Sequence, residues 1–324
     1  MLEQQIFHIK SNQDFENITL AIFQYQFQHV SVYREYCELL HVRPQEVNAI
    51  EDIPFLPIEF FKKLTVISSE KNSETIFTSS GTTGSITSKH WVADLTLYRK
   101  SFLDGFQRFY GDPSQLVILA LLPSYLEREG SSLVYMVDQL IKETNNVHSG
   151  FYLNDLDTLA EKLVALDSAD KKVLLLGVSY ALLDLIEKRT FQLKNTYVME
   201  TGGMKGRRQE MIKEALHNVL KAGFGVEKIH SEYGMTELLS QAYSKGDGLF
   251  SCPPWMRVLT RDTEDPLTLV NGTTGGINVI DLANVYSCSF IATQDLGKTY
   301  TDESFEILGR FDTSDIRGCN LMVL

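Results

Sequence analysis

The 324-residue sequence has no Cys-x-x-Cys pair, no cluster of histidines, no basic run interleaved with aromatics, and no apolar stretch long and uncharged enough to span a bilayer. Each absence closes a class of function. The four cysteines, Cys37, Cys252, Cys288 and Cys319, are scattered, so neither a disulfide framework nor a structural zinc site is indicated and reduced thiols are expected. Without a basic tract, a formal charge of −12 repels phosphate backbones and removes nucleic acid as a partner. The first residues, Met1 to Asn17, lack the basic segment and apolar run of a secretion signal, and the expectation is a cytoplasmic chain with no membrane span.

What is present is ordinary globular composition, 44% apolar and 22% charged, on a length that supports one large domain or two packed lobes. Given the net negative charge, any anionic ligand must be held by local devices such as main-chain N–H groups, a lysine or a metal ion. That requirement directs attention to the glycine-rich loops.

In the first forty residues Phe15, Ile18, Ile22, Tyr25, His29, Val32, Tyr36 and Leu39 recur at three- and four-residue steps, the stripe of an amphipathic helix. His29 on that stripe reads as a core or boundary residue rather than a ligand. The two prolines in Ile53-Pro-Phe-Leu-Pro-Ile-Glu-Phe-Phe-Lys62 predict an extended connector running over a surface. Apolar β-rich runs then alternate with helix-like stretches: Leu116–Leu122, 129–144, Val173–Leu176, 178–190, Tyr197–Met199, 206–221 and Val226–His230. Such alternation predicts parallel strands with crossover helices, hence an open α/β sheet with ligands at its carboxyl edge. After Ile229 short strands at Trp255–Leu259, Gly276–Ile280, Cys288–Ala292 and Phe305–Leu308 predict a smaller β-rich lobe.

Four sets of residues carry chemistry. Thr78-Ser79-Ser80-Gly81-Thr82-Thr83-Gly84, followed by Lys89, offers glycines for close backbone approach, and hydroxyls and N–H groups for phosphate oxygens, without the Walker arrangement. Thr201-Gly202-Gly203-Met204 follows a strand, and its double glycine lets a flat ring lie on the main chain. Ser231-Glu232-Tyr233-Gly234-Met235-Thr236-Glu237 presents a hydroxyl and a hard carboxylate, suited to a phosphate and its Mg²⁺. Asp295 and Arg310 offer an acceptor and fixed donors for a ribose. Taken singly, each also fits a plain turn or surface pair.

Together these residues, in this order, resemble the adenylate-forming superfamily of acyl-coenzyme A synthetases, firefly luciferase and peptide-synthetase adenylation domains. In those proteins the phosphate loop reads S-S-G-T-T-G with a nearby lysine, the signature reads Y-G-x-T-E, and an aspartate and a G-R pair follow. The segment Ile53–Lys62, the length and the Arg317-Gly-Cys-Asn-Leu321 end narrow the resemblance to acyl-protein synthetases of bacterial luminescence operons, with phenylacetate-coenzyme A ligases the next nearest group.

The resemblance implies an α/β fold corresponding to the large N-terminal domain of an adenylate-forming enzyme, with mixed, mostly parallel sheets, flanking helices and a β-rich lobe. Three parts are expected: a helical segment at 1–70 packed on the core, an α/β sublobe at 71–228 with the phosphate loop, and a β-rich sublobe at 229–324 completing the nucleotide site. ATP and Mg²⁺ are the implied cofactors. Thr78 to Gly84 and Lys89 would serve the phosphates, Gly202, Gly203, Met204, Tyr233, Gly234 and Met235 the adenine side, Thr236 the α-phosphate, Glu237 the Mg²⁺, and Asp295 and Arg310 the ribose.

A carboxylic acid, expected to be a fatty acid, would become an acyl-adenylate. Leu122-Pro-Ser-Tyr125 and the apolar stretch Leu133–Leu140 are candidates for its pocket, although such a stripe also serves as plain core. The mobile C-terminal domain that supplies a catalytic lysine in relatives is expected to be absent, since fourteen residues follow Arg310. Cys319 is the implied acyl acceptor beside Arg317, against the plainer reading of a buried apolar cysteine. A reductase-like or acyl-carrier protein is the implied partner. Two other readings stay open: a coenzyme A ligase core needing a separate domain, and a non-catalytic nucleotide- or acyl-binding subunit.

Overall fold

A computed structural model describes residues 2–79, 87–123, 130–202, 208 and 211–311. After a short helix α1 (Leu2–Ile6), the N-terminal stripe forms helices α2 (Asn12–His29) and α3 (Ser31–Leu39) rather than one amphipathic rod. Ser11 caps α2 by accepting the Asp14 N–H, and the chain breaks at Val30, which is extended and fully buried. The break puts Phe15, Ile22, Phe23 and Tyr33 into the core and leaves Leu39, at the end of the stripe, 79% exposed. His29 sits at the boundary, 3.5 Å from Glu70.

The connector departs from expectation. Ile53, Pro54, Phe55 and Leu56 are buried rather than laid over a surface, and β1 (Leu56–Pro57) pairs in parallel with Ile291 and Ala292. Its apolar side chains favour the interior, and a proline that cannot donate is tolerated in so short an added strand. Helix α4 (Phe60–Lys63) follows, and then a separate antiparallel hairpin, β2 (Thr75–Thr78) with β3 (Lys89–Val92), brackets the phosphate loop.

Helix α5 (Leu95–Tyr110), capped by Asp94, leads into the expected α/β alternation. Strands β4 (Val117–Leu121), β5 (Gly150–Phe151), β6 (Val173–Gly177), β7 (Thr196–Thr201) and β8 (His230–Tyr233) are all parallel, in the order β5-β4-β6-β7-β8. Between them lie α6 (Ser132–Thr144), α7 (Leu156–Ser168), α8 (Ser179–Lys188) and α9 (Lys213–Phe224). Every residue of β4 and β6 is buried, as continuous apolar runs under helices on both faces require. Strand β8 begins at His230, where the expected strand ended. Gly225 closes α9 with φ +66°, and the Val226 N–H bonds back to Lys221, so 226–229 are used in leaving the helix.

Past β8 the same sheet turns antiparallel without a break. It runs through β9 (Ala242–Ser244) and β10 (Leu249–Ser251) to β15 (Phe305–Arg310), β14 (Phe290–Thr299), β13 (Gly275–Asp281), β11 (Met256–Arg261) and β12 (Leu269–Val270). No described helix is long and apolar enough to cross a membrane.

Candidate functional site

The carboxyl ends of β7 and β8, the middle of β14 and the end of β15 bring Thr201, Tyr233, Asp295 and Arg310 to one region. Asp295 and Arg310 are register partners across β14 and β15. The Arg310 Nε donates to Asp295 Oδ1 at 3.0 Å and the Tyr233 hydroxyl donates to Oδ2 at 2.8 Å. Asp295 is buried while the Arg310 side chain is 75% exposed, so the carboxylate is fixed from below and the guanidinium lies at the rim. Edge contacts from Phe250 and Phe305 hold the Tyr233 ring.

The turn after Tyr233 is tight. A Cβ on Gly234 would press on the Glu232 carboxyl, so any larger residue there must displace that buried side chain. Met235 accepts the Leu238 N–H, and Thr236 and Glu237 follow, with Glu237 4% exposed. Burial pushes the Glu237 carboxyl above the ordinary glutamate range, opposed by a hydrogen bond from Ser88 and the charges of Arg310 and Lys62. A lone buried carboxylate beside a hydroxyl fits Mg²⁺ that takes most of its ligands from phosphates and water. Among the described residues no group of three His, Cys, Asp or Glu side chains is placed to hold a metal by itself.

Of the phosphate loop, Thr78 and Ser79 are described. The Thr78 N–H donates to Gly130 O at 2.7 Å, and Ser79 exchanges hydrogen bonds with Ser88 across the loop's neck. Lys89 pairs in register with Thr78, is exposed, and makes no ion pair among the described residues. Gly202 has φ +30°. Ser80 to Gly84, Gly203, Met204, Tyr125 and Cys319 lie outside the described residues. In the stretch proposed for the acid, Val134, Met136, Val137 and Leu140 are buried in the core of α6.

Several residues of this region were not singled out from sequence. His90, fully buried, places Nδ1 2.8 Å from Thr236 O and Nε2 3.0 Å from Asn284 Oδ1. The Asn284 amide donates to Glu237 O at 2.8 Å and Cys288 O at 2.9 Å. Asp281 accepts from the Leu239 and Ser240 N–H groups. His90 and Asp281 are polar residues within strands, which periodicity alone reads as solvent-facing, and Asn284 ends the short turn after β13.

Two buried carboxyls back the glycine turns, on opposite faces of the sheet. Burial would raise Glu200, but the His217 hydrogen bond and the Lys213 ammonium, 3.3 Å away, overcome it and hold the group at about 2. For Glu232 burial wins. The group is pushed up to about 7, with the Glu200 charge adding and the Thr201 hydroxyl, 2.6 Å away, opposing. The folded state therefore binds this proton more tightly than the unfolded chain does, for which the ordinary value is 4.5. The associated stability is fully present below about pH 4.5 and lost as pH rises to about 7, a difference of about 3 kcal/mol. Glu232→Gln keeps the acceptor for Thr201 and removes the charge. Its urea midpoint is expected to exceed wild type at pH 8 and to match or fall below it at pH 5; an offset equal at both pH values would refute the assignment.

Comparison with known proteins agrees with this architecture. A family model described as acyl-protein synthetase, LuxE, matches residues 7–324. The long-chain-fatty-acid–luciferin-component ligase of Vibrio harveyi is 24% identical over 323 residues, covering 92% of this chain and 84% of that ligase. The protein of the same name from Photorhabdus luminescens is 36% identical over 70 residues, 21% of this chain and 60% of its own length. Among solved structures, 2-hydroxyisobutyryl-CoA ligase in complex with 2-HIB-AMP and CoA superposes with a TM-score of 0.67 at 13% identity, over 94% of this chain and 72% of that one. ATP-bound MatB from Rhodopseudomonas palustris gives 0.54 at 18% identity over 72% of this chain and 47% of its own, so the chain spans about half the length of MatB. These two likenesses are of fold. The family match runs through nearly the whole sequence, and the chain belongs to the LuxE family of acyl-protein synthetases.

Proposed function

We propose that the chain uses ATP to convert a long-chain fatty acid to its acyl-adenylate and then passes the acyl group to a protein thiol. The observation that carries the site reading is the fixed carboxylate of Asp295, braced by Tyr233 and Arg310 at the carboxyl edge of the sheet, within the same strand ends as Thr236 and Glu237. Asp295 accepts from the ribose hydroxyls and the exposed Arg310 adds donors at the rim. Gly202 to Met204 and Tyr233 to Met235 border the adenine. Thr78 to Gly84 and Lys89 hold the phosphates, and the Thr236 hydroxyl donates to the α-phosphate. Glu237 holds Mg²⁺, which supplies charge neutralisation on the phosphate oxygens.

An oxygen of the acid's carboxylate attacks the α-phosphorus, the bond to the bridging oxygen breaks, and pyrophosphate leaves with its electron pair. A thiolate then attacks the acyl carbon and AMP departs, giving a thioester. Cys319 is our candidate for that thiol, its proton passing to solvent before attack, and an acyl-accepting reductase or carrier protein is the expected onward partner. The division into 1–70, 71–228 and 229–324 is carried forward as part of the same reading.

The test is ATP–pyrophosphate exchange by the purified chain with Mg²⁺ and a panel of short, medium and long fatty acids and aryl acids. Long-chain fatty acids are expected to support the fastest exchange. Asp295→Ala is expected to raise KM for ATP about tenfold or more, since it leaves the Tyr233 hydroxyl and Arg310 without their acceptor, and to leave KM for the acid unchanged. Absence of exchange with every acid would overturn the proposal, and transfer to free coenzyme A in preference to protein would overturn its second step.

A further inference from the structure

The phosphate-loop hairpin and the Tyr233–Glu237 turn belong to different sheets, yet the His90 side chain reaches Thr236, 146 residues away, beside the hydrogen bond from Ser88 to Glu237. His90 stands on β3 immediately after Lys89, with its ring turned inward while Lys89 faces out. Its Nδ1 meets Thr236 O at 2.8 Å, and its Nε2 meets the amide oxygen of Asn284, whose nitrogen is already committed to Glu237 O and Cys288 O. The main-chain carbonyls of Thr236 and Glu237 are thus both held, one by the ring and one through its partner. Phe61 packs edge-on against the ring at 5.8 Å and closes the site from below.

The polar contacts are specific in kind as well as in place. A main-chain carbonyl only accepts, and Asn284, with its nitrogen spent, turns an acceptor toward the ring. Both ring nitrogens therefore face acceptors, and because burial lowers the imidazole pKa to about 4 the neutral ring supplies a single N–H, which is shared between the Thr236 carbonyl and the Asn284 amide oxygen by choice of tautomer. A residue needed only for packing would have no reason to meet both the Thr236 main chain and the side chain that holds the Glu237 carbonyl.

Resting on the nucleotide reading of this site, we infer that His90 is a positioning residue for adenylation, locking the Thr236–Glu237 backbone to the phosphate-loop hairpin. Thr236 and Glu237 then meet the triphosphate at a fixed offset from the loop that holds its other end. Among the described residues the hairpin shares no strand pairing with the main sheet, so side-chain contacts set that offset, His90 to Thr236 together with Ser88 to Glu237. The acid is outside the linkage, so the effect falls on ATP.

The experiment is steady-state ATP–pyrophosphate exchange by the whole chain, with KM for ATP and for the acid measured separately in His90→Phe and His90→Gln. Phenylalanine keeps an aromatic ring against Phe61 but donates nothing, whereas the glutamine amide offers two N–H donors. His90→Phe is expected to raise KM for ATP about ten- to a hundredfold, with KM for the acid unchanged. His90→Gln is expected to stay within about threefold of wild type. Equal behaviour of the two variants, or a parallel rise in KM for the acid, overturns the inference. If His90→Phe does not accumulate as folded protein, Asn284→Leu is read instead, and an unchanged KM for ATP there overturns it equally. A wild-type chain inactive with every acid would strike the adenylation reading itself, whereas an active wild type with an unaffected His90→Phe strikes this inference alone.

Discussion

Glu237→Gln is expected to lower acid-dependent ATP–pyrophosphate exchange by about 10²- to 10³-fold while the thermal midpoint stays near wild type. The amide matches the carboxylate in shape and can still accept from Ser88, so the fold is spared and the charge alone is removed. That charge sits in a site only 4% exposed to water, where electrostatic interaction with Mg²⁺ and phosphate is strongest. The sign of the pH dependence follows. Burial raises the carboxyl's pKa, so at lower pH the group carries a proton and offers no anionic ligand. With Mg²⁺ limiting, exchange should therefore fall on an acid limb that moves to lower pH as Mg²⁺ is raised, and that limb should be missing from the Glu237→Gln profile. Retention of more than a third of wild-type exchange, or an unchanged acid limb, would rule the role out.

Asp281→Ala is expected to reduce stability by about 3–5 kcal/mol, read as a lower urea midpoint at unchanged slope. The side chain is fully buried and accepts the N–H groups of Leu239 at 2.7 Å and Ser240 at 2.9 Å, as well as the Ser240 hydroxyl. Removing it strands those donors in the interior, and each buried orphan costs about 1–3 kcal/mol. The loss travels further because Ser240 also meets Ser101, which takes the indole N–H of the buried Trp255. Burial pushes the Asp281 carboxyl up to about 6, so its stabilising contribution is largest below the unfolded value of 3.8 and declines as pH rises toward 6. The deficit of the variant should shrink over that interval. A loss below about 1 kcal/mol would show that the turn after Glu237 holds without this brace.

The parallel half of the fold was legible because its signal is local. Val117-Ile-Leu-Ala-Leu121 and Val173-Leu-Leu-Leu-Gly177 are apolar throughout, a pattern that a half-exposed strand cannot carry, and helices flank them. The chain break at Val30 and the burial of Ile53 to Leu56 were not legible, since each is decided by what a distant segment offers, and β8 starts late because the Gly225 cap uses 226–229 in leaving α9. The same division applies to the site. Tyr233, Thr236, Glu237, Asp295 and Arg310 announce themselves through glycine spacing and motif order. His90, Asn284 and Asp281 support them from beneath, and their roles exist only once β3 and the segment after β13 have been brought against the turn.

The pairing of β1 with β14 and the hold of Gln26 on Asn284, 258 residues away, impose an order on biosynthesis. Strands β4, β6 and β7 can assemble from contiguous βαβ units as the chain emerges. Helix α2 has no complete binding surface until Asn284 and Ser289 have been made, and at roughly 5–20 residues per second that takes on the order of ten seconds to a minute after its own synthesis. During that interval Phe15, Ile22 and Phe23 have no permanent cover. The first helices translated are thus among the last to dock, and the newborn chain is most prone to aggregate at its N-terminal end.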